Sequence, residues 1–248
     1  MGTWNLLIIF VVGAVAGFFG SLTGGGGLIT VPALILAGLP PHIAVATNRL
    51  GSVGLFSTSW YKFHQKGSID YRIALVVGIP FLIGSVFGAR LLLQVDEALL
   101  KRFIALFTLL ILAFMAFRSD VGIRKRQRSI RGWEYLLGGT LAGIIGIYAG
   151  FYAPGFGLFL AYVQILLFGQ TFIESAATWK IGAVLFSVTT SVMFAFNDLI
   201  LYPAAVVLFA GMSAGSYLGA HYSDRIGNVW VKRFFVAVVL ITTLKMAI

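Results

Sequence analysis

The chain contains no cysteine, only 3 histidines and only 8 acidic residues among its 248 residues. The absence of cysteine excludes disulfides, thiolate nucleophiles and Cys-ligated metal sites. The few histidines and carboxylates are scattered, which does not favour a multi-histidine or carboxylate-rich metal centre. The sequence therefore predicts a protein with no metal and no other cofactor.

Charged residues are also scarce, at 10% of the chain, whereas 59% of the residues are hydrophobic. A chain of this length cannot bury so much apolar surface in one water-soluble core. It is therefore predicted to be an integral membrane protein. At about 20 residues per crossing it has room for roughly eight to ten membrane segments and for no sizeable soluble domain, which argues against an enzyme with a water-exposed catalytic domain.

The 18 Lys and Arg residues give a net charge of +10, and six of them lie between two long apolar stretches. These six are Arg118, Arg124, Lys125, Arg126, Arg128 and Arg131. The positive-inside rule predicts that this loop is cytoplasmic, and a basic loop at the membrane surface is expected to contact anionic lipid. A nucleic-acid partner is not expected.

Apolar runs separated by charge, proline or glycine divide each half of the chain into five segments. We predict them at residues 4–22, 28–38, 43–63, 71–94 and 98–117, and at 133–152, 155–169, 172–196, 202–221 and 230–248. The second segment of each half is too short to span a hydrocarbon core of about 30 Å. We expect one membrane domain with a first repeat at 1–117, a basic linker at 118–132 and a second repeat at 133–248.

The two halves align on each other without gaps at an offset of 131 residues. The aligned pairs include Thr47 with Thr178, Gly51 with Gly182, Tyr71 with Tyr202, and Lys101 with Lys232. An odd number of segments per half inverts the second half relative to the first, as in many secondary transporters. The expected fold is an all-α membrane bundle of two inverted repeats, each with a short broken or re-entrant second segment.

The short second segment is preceded by four consecutive glycines, Gly24, Gly25, Gly26 and Gly27. Such a run disfavours continuous helix, and unwound backbone at membrane depth must be buried in protein or line a cavity. The next helix would present its N-terminus there and attract an anion. The matching break in the second half contains Pro154, Gly155 and Gly157. We expect the two breaks to face each other.

Close helix packing is the alternative explanation for glycine-rich segments. It is the favoured one for glycines spaced four residues apart, which are Gly13/Gly17, Gly84/Gly88, Gly139/Gly143 and Gly211/Gly215/Gly219. Small residues at this spacing let two helix backbones approach closely. We therefore predict packing for these pairs and a cavity for the four-glycine run.

Arg49 and Lys180 are the bases that lie well inside apolar segments, and the offset makes them equivalent. A charge at membrane depth marks a pathway or a partner. No acidic residue occupies matching interior positions, so a substrate anion is the expected partner. The residues just before the two bases, Thr47, Asn48, Thr178 and Trp179, are predicted hydrogen-bond donors to that anion. The alternative is that both bases snorkel to the membrane surface.

Glu174 and His42, each near the start of a predicted segment, are the candidates for a proton route. Thr171 and Glu174 fit the S/T-x-x-E capping box at a helix start, so capping is the favoured interpretation for Glu174. His42 follows Pro40 and Pro41, and proline suits a helix N-terminus. His42 is therefore expected at the membrane interface.

The stretch GSLTGGGGLITVPALILAGLPPHIAVATNRL at residues 20–50 resembles the TauE/SafE sulfite exporters, also called the toluene-sulfonate uptake permease family. The glycine-rich break, the following proline and the A-T-N-basic motif carry the resemblance. GFYAPGFGLF at 150–159 and ESAATWKIG at 174–182 are similar to the family's second-repeat pattern. The chain departs from it at Ala153, where glycine is expected, and at Phe156, where a small or hydroxylated residue is expected.

The resemblance implies a multi-pass transporter of the bacterial inner membrane for sulfur-containing anions such as sulfite, sulfoacetate or other organosulfonates. Composition and spacing alone predict only an inverted-repeat carrier whose centre is positive and suited to an anion. The hypothesis is an alternating-access carrier that binds its anion between the two breaks, close to Arg49 and Lys180. The alternatives are an anion channel, an integral-membrane enzyme of the glycine-rich acyltransferase type, and a lipid-binding scaffold.

Overall fold

The structure of the chain is a computed structural model that describes residues 3–104, 106–107 and 130–223. The helices in these ranges are α1 Thr3–Thr23, α2 Gly27–Leu36, α3 Pro41–Gln65, α4 Tyr71–Gln94, α5 Gly132–Phe151, α6 Phe156–Phe168, α7 Phe172–Thr178, α8 Lys180–Ala195 and α9 Tyr202–His221. Residues 97–104 are helical as well. Every regular element among the described residues is an α-helix, which confirms the predicted all-α class.

Five helical spans within the described ranges are long and apolar enough to cross a membrane. They are Leu6–Thr23, Tyr71–Gln94, Gly132–Phe151, Phe172–Ala195 and Tyr202–His221. Large apolar side chains also face outward, and Leu136 is 75% exposed and Phe196 86% exposed. A surface of this kind is stable against lipid tails rather than water. The chain is therefore a multi-pass integral membrane protein.

Parts of the predicted organisation fall outside the described residues. The linker lies there at 118–129, as do the last predicted segment, 230–248, and most of the segment 98–117. The total of roughly eight to ten membrane segments stays a prediction. The predicted segment 172–196 corresponds to one helical span, Phe172–Ala195, within which Trp179, with φ and ψ of −74° and −9°, separates α7 from α8.

The second helix of each half is short, as predicted, with 10 residues in α2 and 13 in α6. α1 ends at Thr23, and Gly24 then adopts a φ of 67°. α5 ends at Phe151, and Ala153 and Gly155 then adopt φ values of 76° and 83°. Left-handed backbone interrupts a right-handed helix and is adopted readily by glycine alone. Both predicted breaks are therefore present.

The first helix of the chain packs closely against the last described helix, α9. A side chain at Gly215 would collide with the backbone of Ala14, and one at Gly219 would collide with the backbone of Phe18. Residue numbers rise together along the two helices, so α1 and α9 are parallel. Glycine at this spacing allows the two backbones to touch. The packing prediction for Gly211, Gly215 and Gly219 is therefore confirmed.

α4 and α5 form the second close pair. A side chain at Gly84 would collide with the backbone of Gly143, and one at Gly88 would collide with the backbone of Ile147. These two helices are also parallel, and the packing prediction is confirmed here too. Each pair joins a helix of the first half to a helix of the second half, so the halves are packed together along their whole length.

The central helices α3 and α8 pack against each other, and α3 also packs against α9. A side chain at Gly51 would meet Leu208, and one at Gly54 would meet Ser213, so α3 and α9 are parallel. The ring of His42, near the start of α3, lies 3.1 Å from the carbonyl oxygen of Leu92, near the end of α4. α3 and α4 are therefore antiparallel, and α4 and α9 run in opposite directions.

Candidate functional site

The two helix breaks meet inside the bundle, where the backbones of Gly24 and Gly157 touch. A methyl group on Gly24 would lie 2.6 Å from the Cα atom of Gly157, and one on Gly157 would lie 2.8 Å from the Cα atom of Gly24. Carbon atoms cannot approach so closely without overlap, so hydrogen alone fits at both positions. The prediction that the two breaks face each other is confirmed by this contact.

A small cavity lies beside the contact and is lined by both breaks. Its walls include Gly24, Gly26, Gly27, Asn48, Arg49 and Pro154. The cavity volume is about 10 Å³, which is close to the volume that a single buried water molecule needs. In this arrangement the cavity therefore has no space for an anion larger than a water molecule.

Arg49 lines this cavity from α3, and only 1% of its surface is exposed. Its Nη2 atom donates a hydrogen bond of 2.9 Å to the carbonyl oxygen of Ala149, in the last turn of α5. Its guanidinium carbon lies 4.2 Å from the centre of the Phe186 ring. Its Nε atom has no hydrogen-bond partner among the described residues. Because a buried donor without a partner is costly, this N–H is suited to bind a ligand.

Lys180 is fully buried at the start of α8, and its Nζ atom lies 3.6 Å from the centre of the Trp179 ring. Nζ also lies 3.4 Å from the carbonyl oxygen of Gly20, in the last turn of α1. An aromatic face and the carbonyl end of a helix both stabilise a positive charge. Lys180 is not among the described residues that line the cavity. Its charge is therefore held next to the site rather than in it.

The two bases share one arrangement: each reaches a last-turn carbonyl of the first helix of the opposite half. Each also lies over an aromatic ring of that half, Phe186 for Arg49 and Phe56 for Lys180, where Nζ is 5.5 Å from the ring centre. Because both side chains point into the other half, neither snorkels to the surface. Neither has an acidic partner among the described residues, so two buried positive charges lie beside the breaks without a counter-ion.

Thr47 and Thr178 lie outside the cavity wall, as far as the described residues show. The Leu201 N–H donates a hydrogen bond of 3.1 Å to Thr47 Oγ1. The Asp70 N–H donates one of 3.2 Å to Thr178 Oγ1. The offset of 131 residues relates Thr47 to Thr178 and also Asp70 to Leu201. The two hydrogen bonds are therefore equivalent, and each one joins the two halves.

Asn48 and Trp179 occupy equivalent positions but have different surroundings. Asn48 lines the cavity, and its Oδ1 atom accepts a hydrogen bond from the hydroxyl of Thr30 on α2. The Trp179 ring packs edge-on against the rings of Phe56 and Phe156, with centroids 5.8 and 5.3 Å away. Its Nε1 atom is buried and has no hydrogen-bond partner among the described residues. The site is thus polar beside Arg49 and aromatic beside Lys180.

Aromatic residues form a wall of the site that sequence reasoning did not select. The rings of Phe81, Phe156 and Phe186 contact one another with centroid distances of 5.1, 5.3 and 5.4 Å. The one signal for them was the departure of Phe156 from the family pattern. Ser52 was also missed, although it lines the cavity one helical turn after Asn48 and therefore shares its face.

Glu174 caps the start of α7, which confirms the capping interpretation. Its backbone N–H donates to Thr171 Oγ1 at 3.2 Å, and its Oε2 atom accepts from the Thr171 N–H at 2.9 Å. His42 lies in the first turn of α3 and is partly buried. Neither residue lines the cavity in the described part of the chain. The described residues also include no cluster of three or more His, Asp or Glu residues that is able to hold a metal ion.

Several relatives of this chain are named as probable membrane transporter proteins. The chain matches the family described as sulfite exporter TauE/SafE over residues 9–246. It is 32% identical to a probable membrane transporter protein of Haemophilus influenzae, with 97% of this chain and 94% of the relative covered. It is 27% identical to the probable membrane transporter protein YfcA of Escherichia coli K12, with 96% and 88% covered. The probable membrane transporter protein YdhB of Bacillus subtilis is 26% identical, with 92% of each chain covered. No solved structure matches the chain.

Proposed function

The chain belongs to the TauE/SafE sulfite exporter family of membrane proteins, and we propose that it is a secondary transporter of small sulfur-containing anions. Sulfite, sulfoacetate or another organosulfonate is the proposed substrate, and the bacterial inner membrane is the proposed location. The observation that carries the proposal is the pair of buried bases, Arg49 and Lys180, which lie without a counter-ion beside two touching helix breaks.

The chemistry of the cavity favours an anion over a cation. Arg49 lines it with an unpartnered Nε–H, and no carboxylate is present among the described residues of its wall. α2 begins at Gly27, which also lines the cavity, so the positive end of that helix faces it. We assign direct contact with the anion to Arg49, Asn48 and the first turn of α2. Lys180 adds positive charge from its position over the Trp179 ring, next to the site.

The backbone around the cavity forms the rest of the proposed site. Gly24, Gly26 and Gly27, from the run that also contains Gly25, supply one wall. Pro154, Gly155 and Gly157 belong to the break that forms the other. The unpartnered Nε1–H of Trp179 is a second donor for an oxyanion once the halves separate. Small residues on both walls let the backbone approach the bound anion closely.

We propose alternating access for two reasons. The two halves align in sequence, and a pair of equivalent helices runs in opposite directions. α4 and α9 are related by the 131-residue offset and run in opposite directions. This supports an inverted repeat, in which one half rocks against the other around a central site. A cavity with space for about one water molecule is consistent with a closed carrier and not with an open anion channel.

The proposed orientation follows from the distribution of charge. Lys62 and Lys66 lie at the end of α3, Arg72 lies at the start of α4, and the basic linker joins the two halves. Placing these residues on the cytoplasmic side satisfies the positive-inside rule. The turn at 197–201, which contains no base, then faces outward. Anionic lipid is the proposed partner of the linker.

The proposal is tested by counterflow in proteoliposomes, with labelled sulfite and a panel of small sulfonates. We expect saturable flux, which unlabelled anion on the opposite side accelerates. Arg49→Gln and Lys180→Gln lower this flux, whereas Arg90→Gln, at an exposed position on α4, leaves it unchanged. Flux without acceleration from the opposite side indicates a channel. Absence of flux for every anion in the panel overturns the sulfur-anion assignment.

A further inference from the structure

Two hydrogen bonds join the halves and provide acceptors for backbone N–H groups at the starts of α4 and α9. Asp70 and Leu201 are the residues that immediately precede these helices. Their N–H groups donate to Thr178 and Thr47 respectively, each in the opposite half. The N–H groups at a helix start have no partner within the helix, so a threonine hydroxyl from the facing half is a suitable acceptor for each.

The two hydrogen bonds lie at opposite ends of the bundle. Thr47 is near the start of α3, and Gln65 at its other end is about 27 Å away along the helix axis at about 1.5 Å per residue. Asp70 follows that far end, because the contact between His42 and Leu92 makes α4 antiparallel to α3. The bond at Thr47 and the bond at Thr178 therefore lie toward opposite ends of α3.

The cavity lies between the two bonds along α3, because its lining residues on this helix run from Asn48 to Phe56, after Thr47 and before the end that Asp70 follows. Gly24 and Gly157 touch, and the cavity beside them is closed to anything larger than about one water molecule. Both end contacts are formed at the same time in this closed arrangement. An equivalent contact at each end of a closed cavity is what a carrier with two alternating openings requires.

We propose that Thr47 and Thr178 are positioning residues that close the transport site, one at each end. Loss of the bond at Thr178 allows the start of α4 to move away from α7, which opens the site on the side of the α3–α4 turn. Loss of the bond at Thr47 allows the start of α9 to move away from α3 and opens the opposite side. This inference rests on the proposed alternating access.

The two ends differ in one respect that favours stronger closure at Thr178. Its hydroxyl also accepts a hydrogen bond of 3.1 Å from Gln170 Nε2, within the same half. The residue equivalent to Gln170 is Leu39, which has no amide to donate to Thr47. The Gln170 amide holds the Thr178 oxygen in place, so the side of the α3–α4 turn is expected to open less often in the unmodified protein.

The test uses the absence of cysteine in the natural chain. Ser52→Cys places one thiol in the cavity wall, and a membrane-impermeant thiol reagent is added to either side of oriented vesicles. In this background, Thr178→Val and Thr47→Val each keep the side-chain shape and remove the acceptor oxygen. Because a hydrogen bond of ordinary strength changes an equilibrium about fivefold, we expect about fivefold faster labelling. Thr178→Val raises it from the side of the α3–α4 turn, and Thr47→Val from the other side.

Three further variants separate closure from a general loss of stability. Thr47→Ser and Thr178→Ser retain the acceptor and label at the parent rate. Leu201→Pro removes the donor instead, at a φ of −83° close to the value that proline requires, and reproduces the effect of Thr47→Val. Thr190→Val is the matched control, because the buried Thr190 hydroxyl bonds to Phe186 within its own helix.

Equal labelling from both sides in each valine variant, or no change in folded valine variants and in Leu201→Pro, overturns the proposal. If the valine variants do not fold, the serine variants and Leu201→Pro decide it. Labelling requires no substrate, so side-specific labelling in a protein that transports none of the tested anions supports the end contacts while the substrate assignment fails. Transport without side-specific labelling supports the substrate assignment and overturns the role proposed for Thr47 and Thr178.

Discussion

The Cα atoms of Gly24 and Gly157 are in direct contact, so closely that neither residue has space for a methyl group. Gly24 immediately follows the first helix of one half, and Gly157 lies in the first turn of a short helix of the other half. The contact therefore lies where α1 has just ended and α6 has just begun. In the alternating access proposed above, separation of the halves requires the loss of this contact.

Gly157→Ala is expected to destabilise the protein and to abolish transport. The added methyl group would lie 2.6 Å from Trp179 Cζ2 and 2.8 Å from the Cα atom of Gly24. Overpacking of a buried site typically costs about 1–3 kcal/mol. Gly132→Ala is the matched control, because nothing lies within 4 Å of the added methyl group. Thermal unfolding in detergent measures both, and equal melting temperatures for the two variants would contradict the close contact.

Ala153→Gly is expected to stabilise the protein. Ala153 has a φ of 76°, and left-handed backbone costs an L-residue roughly 1–2 kcal/mol. Glycine removes that strain but gains freedom in the unfolded chain, so a net gain of about 0.5–1 kcal/mol remains, or a rise of about 2–3 °C in melting temperature. Ala161→Gly, inside α6, is expected to lower the melting temperature, because glycine disfavours helix. A lower melting temperature for Ala153→Gly would show that its side chain contributes more than its backbone costs.

Arg49→Gln is expected to weaken anion binding more than Lys180→Gln. Arg49 lines the cavity with an unpartnered N–H, whereas Lys180 contacts the face of Trp179. Loss of a charge-assisted hydrogen bond lowers affinity by roughly 10- to 100-fold. Loss of a nearby charge without direct contact costs less, about fivefold. The concentration dependence of counterflow measures both, and equal losses of affinity would place Lys180 in contact with the anion.

Glu174→Gln is expected to retain both transport and its dependence on pH. The side chain of Glu174 accepts a hydrogen bond from the Thr171 N–H in a capping box, and glutamine does the same. Glu174→Ala removes the cap and is expected to cost about 1 kcal/mol of stability. Flux measured across a pH series distinguishes the roles. A pH dependence that disappears in Glu174→Gln would make Glu174 a proton carrier.

Local properties of the chain made the helices and their breaks predictable. The segments predicted at 71–94 and 202–221 have the same bounds as α4 and α9, because each is a long apolar run between charged or turn-forming residues. Glycine disfavours helix through its own backbone freedom, so the break at Gly24 was visible in the sequence. The turn at Trp179 was not, because neither glycine nor proline lies beside it and its φ and ψ of −74° and −9° depart little from helical values.

The candidate site was predictable in position but not in connectivity. Arg49 and Lys180 stood out because a base within an apolar segment is rare and the repeat placed one in each half. Their contacts were not predictable. The cavity contacts Arg49 and not Lys180 among the described residues, because the rings of Trp179 and Phe56 occupy the space next to Lys180. Equivalent positions in a repeat thus acquired different surroundings.

The sequence by itself determined that this is an α-helical membrane protein of two similar halves, each interrupted after its first helix. Hydropathy, helix length and the conformational freedom of glycine depend on residues that are close together in the chain, so short stretches of sequence predict them. The tertiary structure alone decided which groups meet across the halves, such as Arg49 with Ala149 and Thr47 with Leu201. Those partners lie 100 and 154 residues apart, and their contact depends on how two complete bundles of helices dock.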